Sequence, residues 1–175
     1  MMKIFFAVFF TLSSYLSFAQ VHWITINEAL EAQKKIPKKI FIAFTDDNCT
    51  PCQKMENLAF DNPVIAKMIA DKYYAVKFFA DSKEKVNFRG REFDRADSLP
   101  QTAMHPFAKY MNISTVPTLV FLDEHAAPIT SLMGALSAKD IEPYFSMIST
   151  QDYKSIKSRQ QWDDYQRKFK SKIKD

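Results

Sequence analysis

Continuous apolar runs of strand length recur along the chain and are separated by polar stretches. Three of them, at residues 40–44, 73–79 and 117–122, are predominantly apolar, a pattern typical of strands buried on both faces. A fourth strand is predicted at residues 129–133. It follows a turn at residues 123–128 that is short enough to make the last two strands an antiparallel hairpin.

Helical periodicity fills most of the sequence between these runs. The predicted helices cover residues 27–35, 53–60, 63 onward, 106–111 and 138–148. Asn27 and Asn62 are the expected caps of the first and third helices, and Pro63 suits a first helical turn. Residues 86–93 predict a small hairpin that turns at Arg89-Gly90.

The order of these elements restricts the topology. Strands that are joined through helices must run parallel, whereas strands joined by a short turn must run antiparallel. The sequence therefore predicts an α/β fold with a mixed four- to five-stranded sheet and helices on both faces.

The first 19 residues have the pattern of an export signal. Lys3 precedes an apolar stretch, and small residues at Ser17 and Ala19 predict cleavage before Gln20. An uncleaved anchor and a buried helix are the alternatives, but the run is shorter than the roughly 20 apolar residues of a membrane span. We expect a periplasmic protein with a signal peptide at 1–19, a domain at 20–150 containing an insert at 81–112, and a helical tail at 151–175.

Composition narrows the possible partners. The chain has 16 Phe against 2 Gly, which predicts a bulky aromatic core with few glycine turns. Its formal charge of +4 is concentrated after residue 152, and no basic stripe or glycine-rich phosphate loop suggests nucleic acid as a partner. The tail's apolar stripe could touch an anionic membrane, but docking on the domain, or fraying, is the favoured alternative. We expect a monomer.

The candidate chemistry lies in the pair Cys49 and Cys52, at the junction between a buried strand and a helix. Backbone N–H groups and the helix dipole at that junction favour a thiolate, so Cys49 is expected to be the attacking sulfur. Cys52, one turn later, can resolve a mixed disulfide. Thr50 and Pro51 lie between them and are expected to tune the potential.

The cysteines have two other interpretations. A zinc site needs two more ligands, and the three histidines, His22, His105 and His125, are widely separated. A purely structural disulfide would close a very short loop and would constrain the unfolded chain little. We therefore expect redox chemistry with no metal or organic cofactor. His105, before Pro106, is expected to be a surface or capping histidine.

Four stretches of the chain resemble the thioredoxin superfamily, in particular its exported thioredoxin-like members. They are Trp23 with residues 28–34, residues 40–52, residues 57–65, and residues 116–123 followed by Met133-Gly134-Ala135. The resemblance implies a thioredoxin-like fold, a redox-active Cys49–Cys52 disulfide, and a cis Pro117 that faces it. Pro117 would present the backbone of Val116 to a bound peptide, as strands pair.

The chain departs from that family at three places. Asn48 stands where a Trp usually precedes the first cysteine, and Ala43 aligns with the buried acid of many thioredoxins. Asp46 and Asp47 are expected to be solvated in the loop. The insert is longer than usual, and we expect a surface elaboration in preference to a hairpin that flanks the site and selects partners.

These inferences predict a thiol–disulfide oxidoreductase that acts on exported proteins and is reset by a separate redox partner. Oxidase, reductase and isomerase directions stay open, because the residues between the cysteines do not determine the reduction potential by inspection. A non-catalytic binding module with a structural disulfide is the alternative, and a thiol peroxidase is a weaker one.

Overall fold

The structure is a computed structural model that describes residues 20–96, 100 and 103–174. The predicted signal peptide, residues 1–19, lies outside the described residues. Within the described part of the chain, no helix is long and apolar enough to cross a membrane.

A five-stranded mixed sheet forms the centre of the molecule, in the order β1-β3-β2-β6-β7. Its strands are β1 (Trp23–Ile24), β2 (Lys39–Thr45), β3 (Tyr73–Phe79), β6 (Thr118–Leu122) and β7 (Pro128–Met133). Strand β3 runs parallel to β1 and β2, whereas β6 is antiparallel to both β2 and β7. The predicted mixed sheet is therefore confirmed.

The described residues form six α-helices around the sheet and a separate hairpin beside it. The helices are α1 (Ile26–Lys35), α2 (Thr50–Met55), α3 (Pro63–Lys72), α4 (Pro106–Tyr110), α5 (Ala138–Ser149) and α6 (Arg159–Lys168). The hairpin pairs β4 (Val86–Phe88) with β5 (Arg91–Phe93) and turns at Arg89-Gly90, as predicted. Both turn residues have positive φ, 50° and 76°, and glycine adopts such values without steric cost.

The cap of α1 differs from the prediction. Thr25, not Asn27, caps the helix: its hydroxyl accepts the Glu28 N–H, while the Glu28 carboxylate accepts the Thr25 N–H. The Asn27 side chain instead bridges to the hairpin, donating to the Lys85 carbonyl at 2.6 Å and accepting the Asn87 N–H at 3.0 Å. By contrast, Asn62 caps α3 as predicted, with Pro63 in the first turn.

The segment after the cysteines was predicted to be one helix over residues 53–60. It begins earlier, at Thr50, and passes at Glu56 from α2 into a π-helical turn over Glu56–Phe60. The Asp61 N–H donates to the Glu56 carbonyl at 3.2 Å, five residues back. A π-helical turn adds a residue to the helix, and such turns are frequent at functional sites.

Two aromatic cores pack against opposite faces of the sheet. On the face covered by α2, α3 and α5, Phe145 lies 4.9 Å from the Phe41 ring and 5.0 Å from the Phe121 ring. On the other face, Phe107 of α4 lies between the sheet residue Phe78 and the hairpin residue Phe88, 5.3 Å from each ring. These two layers contain nine of the 16 Phe residues of the sequence.

The hairpin is more than the surface elaboration that we expected, because Val86, Phe88 and Phe93 are buried against α4. Its turn lies in a groove with residues 124–126, which follow β6. Leu122 of β6 pairs with Ile40 near the start of β2, so this groove is at the end of the sheet opposite the cysteines. The turn of the hairpin therefore does not flank the site.

The tail docks on the domain, which is one of the outcomes favoured from the sequence. Trp162 of α6 packs on Tyr144 of α5 with ring centroids 4.4 Å apart. Farther along, the buried carboxylate of Glu142 accepts the Lys172 N–H at 2.7 Å and the Ser171 hydroxyl. Apolar packing and a buried acceptor thus hold the tail at both ends.

Candidate functional site

The two cysteines lie just beyond the end of β2, as the sequence predicts. They form a disulfide with an S–S distance of 2.05 Å and a Cα–Cα distance of 5.2 Å. Cys49 is the cap of α2, and its Sγ accepts the Cys52 N–H at 3.1 Å. Cys49 is half-buried, whereas Cys52 is only 5% exposed. The two cysteines therefore differ in exposure while sharing one helical turn.

This arrangement suits two successive exchange reactions. An N–H that points at Cys49 Sγ stabilises a thiolate there once the disulfide is reduced, as at other helix starts. Thr50 and Pro51 are exposed, and Pro51 occupies the first turn of α2, where it removes no helical hydrogen bond. A thiolate at Cys49 can reach an external sulfur, and Cys52 can reach Cys49.

Pro117 follows a cis peptide bond, as the resemblance implies. The register pairs Thr118 with Phe44, which places Pro117 at the end of β2 that leads to Cys49. The Pro117 carbonyl accepts the Gly134 N–H at 2.9 Å, and Val116 is half-buried at the preceding position. Val116 and Pro117 thus lie at the same end of the sheet as the disulfide.

The loop that leads to the cysteines is held by its own acidic residue. The Asp46 carboxylate accepts the Asn48 N–H at 2.8 Å, and the Asp46 carbonyl accepts the Cys49 N–H at 3.2 Å. Asp47 is exposed, as expected, and Asp46 is half-buried. Asn48, which stands where the family usually has a Trp, is exposed, and its backbone N–H donates the hydrogen bond to Asp46.

Below the helix, the structure brings together two residues that the sequence analysis missed. Ala43 lies directly opposite Lys77 of β3, and the Lys77 ammonium forms an ion pair with the Glu56 carboxylate. The ammonium also lies 5.2 Å from the centroid of the Trp23 ring. Two signals in the sequence could have found the pair: a lysine that interrupts the apolar run at 73–79, and an acid four residues after Cys52.

His105 is the cap of α4 but is fully buried, so the expectation of a capping residue is right and that of a surface residue is wrong. Its Nδ1 accepts the Phe107 N–H at 3.0 Å, so Nε2 carries the proton and donates to the Glu84 carbonyl at 2.9 Å. Burial lowers the pKa of His105, although the bond to the Glu84 carbonyl opposes this. Its buried ring packs against Phe78, which is why the surface expectation fails.

Among residues 20–96, 100 and 103–174, no group of three or more His, Cys, Asp and Glu side chains is placed to hold a metal ion. The two exposed histidines, His22 and His125, lie apart from the disulfide along the chain. The disulfide is thus the chemical centre that the described residues offer.

Comparison with protein-family models finds a match to the thioredoxin-like domain over residues 26–148. Comparison with curated proteins finds no significant sequence match. The matched segment includes both cysteines and the cis proline.

Solved structures share the fold at low sequence identity. A thioredoxin from Thermus thermophilus superposes with a TM-score of 0.56 at 16% identity, over 74% of this chain and 87% of that one. A protein titled DsbH oxidoreductase superposes with a TM-score of 0.54 at 17% identity, over 86% of this chain and 96% of that one. A thioredoxin-fold protein from Helicobacter pylori superposes with a TM-score of 0.54 at 15% identity, over 75% of this chain and 81% of that one.

Proposed function

The chain belongs to the thioredoxin-like domain family, and we propose that it is a thiol–disulfide oxidoreductase that exchanges disulfides with exported proteins through Cys49 and Cys52. The family and the cysteine pair support a redox function in general. The observation that carries the specific proposal is the unequal burial of the two cysteines, with the less buried one at the start of α2 and at the same end of the sheet as Pro117.

In the reducing direction, the Cys49 thiolate attacks a client disulfide and expels one client thiolate. Cys52 then attacks Cys49 Sγ, which closes the protein disulfide and expels the second client thiolate. The client gains two electrons and the cysteine pair loses them. The reverse sequence oxidises a client dithiol, and the reduction potential decides between the two directions. A value of about −270 mV would favour a reductant, and a value of about −120 mV would favour an oxidant.

Client proteins would bind along Val116 and Pro117. The end of a sheet beside a redox-active sulfur offers backbone groups that can pair with an extended segment, as strands do. The gain from backbone pairing is independent of the client's side chains, which suits a protein that meets several clients. Thr50 and Pro51 border the sulfurs and would tune the potential of the pair.

We place this activity in the periplasm, on the sequence pattern of residues 1–19. Oxidising compartments are where protein disulfides persist and need exchange. A separate redox partner resets the pair after each turnover, because each turnover leaves the cysteines in the opposite oxidation state.

A Cys52→Ser variant tests the proposal, because it can form but cannot resolve a mixed disulfide. Expressed with its own signal in the native host and trapped with acid, it should carry exported proteins that are released by reductant. The Cys49→Ser variant is the matched control and should carry none. If neither variant traps an exported protein, the exchange proposal is wrong and the fold serves as a binding module with a structural disulfide.

A further inference from the structure

The exchange reaction requires Cys52 to lose or gain a proton in each cycle, and the disulfide itself offers no group that transfers this proton. Cys52 attacks as a thiolate and leaves as a thiolate, so each cycle removes or returns one proton at this sulfur. The residue is 5% exposed, which restricts direct exchange with bulk water. An ionisable group within reach of Cys52 would therefore accelerate the closing step.

Glu56 is placed to be that group. It follows Cys52 by one helical turn, and its N–H donates to the Cys52 carbonyl. Side chains four residues apart on a helix lie on one face, with about 5–6 Å between their Cβ atoms. Cys52 is buried under the helix, and the Glu56 side chain is directed to the sheet below, where it meets Lys77.

Lys77 holds the Glu56 carboxylate in that place. Lys77 follows Tyr73 and Ala75 on β3 at intervals of two residues, so its side chain points to the same face of the sheet as theirs. Tyr73 and Ala75 belong to the core beneath α2. The Lys77 ammonium contacts both the Glu56 carboxylate and the Trp23 ring. The side chains of Lys77 and Glu56 are 24% and 39% exposed, so the pair is partly shielded yet open to water.

The other charged groups around the cysteines are engaged or directed elsewhere. Ala43, the sheet position opposite Lys77, has no ionisable group. The Asp46 carboxylate accepts the Asn48 N–H in the loop, the Asp47 side chain is exposed, and Lys54 on α2 is exposed. Of the acids near Cys52 on the described chain, Glu56 is the one that shares its helical face.

We propose that Glu56 is the general acid–base group for Cys52 and that Lys77 is its positioning residue. The inference rests on the proposed function and deepens it. In the reducing direction, the Glu56 carboxylate takes the Cys52 proton, directly or through one water. The new thiolate attacks Cys49 Sγ, the bond from Cys49 to the client breaks, and the client leaves as a thiolate. Glu56 then releases its proton to solvent or to that thiolate.

In the oxidising direction, the same atoms move in reverse. A client thiolate attacks Cys49 Sγ, the Cys49–Cys52 bond breaks, and Cys52 leaves with the electron pair. Protonated Glu56 returns a proton to Cys52 and is itself reprotonated from solvent. A second client thiolate then closes the client disulfide and expels Cys49 as a thiolate, so the client loses the two electrons that the pair gains.

The test measures the closing step of the reduced, full-length mature protein with oxidised glutathione as the probe. The first step, attack by Cys49, is second order, whereas closure by Cys52 is first order and sets the plateau rate at high glutathione. In Glu56→Gln the plateau should fall by about 100-fold, the lower end of what a positioned acid–base group contributes. The second-order step should stay within about twofold, because Cys49 does not use Glu56.

A second readout separates proton transfer from a purely electrostatic or structural role. Glu56→Gln removes a negative charge beside Cys52, so the fraction of Cys52 present as thiolate, measured by thiolate absorbance in a Cys49→Ser background, should rise. A role through charge alone would then make closure faster. Proton transfer makes it slower, and Glu56→Asp, which keeps the carboxylate, should recover part of the rate.

Matched variants complete the experiment. Glu31→Gln removes an exposed glutamate that is ion-paired with Lys34 on α1, and it should change neither step. Lys77→Met should lower the plateau by less than Glu56→Gln, because the carboxylate remains but is no longer held. If the Glu56→Gln plateau stays within about twofold of the parent while exchange continues, the inference is wrong and the proposed function stands. If the parent protein does not exchange at all, both are wrong.

Discussion

Replacing Phe107 with Ala tests whether the insert is part of the folding core. Phe107 is fully buried, and its ring lies within 6.1 Å of four others, two from the sheet and two from the hairpin. Those four residues are Phe44, Phe78, Phe88 and Phe93. Truncating a buried Phe to Ala costs about 3–5 kcal/mol. We expect about 4 kcal/mol here, because the surrounding rings belong to separate elements and cannot all move inward.

Urea denaturation followed by circular dichroism measures this loss. With a slope of about 2 kcal/mol per molar urea, the midpoint should fall by about 2 M. Phe107→Leu keeps most of the volume and should cost less than about 1.5 kcal/mol, which preserves a folded sample if the alanine variant does not fold.

Tyr110→Ala is the matched control on the same helix. Tyr110 contacts the same two hairpin rings, Phe88 and Phe93, but it is exposed, so its loss should cost about 1 kcal/mol. If Phe107→Ala shifts the midpoint no more than Tyr110→Ala does, the hairpin is a surface elaboration after all. The argument from shared aromatic packing would then be refuted.

Three further changes have defined outcomes. Burial lowers the pKa of His105, so the imidazole binds a proton less readily in the native state than in the unfolded chain. The free energy of unfolding should therefore fall as the pH drops below about 6.5, by at most about 1.4 kcal/mol per pH unit. His105→Asn, which keeps a capping side chain, should flatten that part of the pH–stability curve. Trp162→Ala should cost about 1 kcal/mol and speed proteolysis of the tail, because the contact with Tyr144 is lost. Thr25→Ala should lower the urea midpoint by the roughly 1 kcal/mol that a helix cap contributes.

The central strands and the start of α3 were predictable because their signals are local. Tyr73–Phe79 is a strand with the predicted bounds, since a predominantly apolar run of that length favours a largely buried strand. Asn62 with Pro63 marks a helix start through two independent physical preferences, and the structure confirms both. Pro117 was predicted from the resemblance alone, and its cis bond is confirmed.

Other features depend on contacts between distant residues. Strand β1 has only two residues, Trp23 and Ile24, too few for any periodicity, and it exists because β3 offers a free edge. The ion pair between Glu56 and Lys77 joins positions that are brought together by the register of β3 under the cysteine helix. The sequence marks each residue separately, Lys77 as an interruption of an apolar run and Glu56 as an acid one turn after Cys52, but only the fold shows that the two side chains meet.

The described part of the insert is linked to the end of β2, just before the cysteine loop, by backbone hydrogen bonds and not by its hairpin turn. The His105 N–H donates to the Ala80 carbonyl at 2.6 Å, and the Ala80 N–H donates to the Thr45 carbonyl at 2.8 Å. Thr45 is the last residue of β2 and precedes Cys49 by four positions. Because the buried His105 ring also fixes the start of α4, packing in the insert and the position of the cysteine loop are linked by one continuous set of hydrogen bonds. Loosening the insert should therefore disturb the cysteine loop even though the hairpin turn lies at the far end of the sheet.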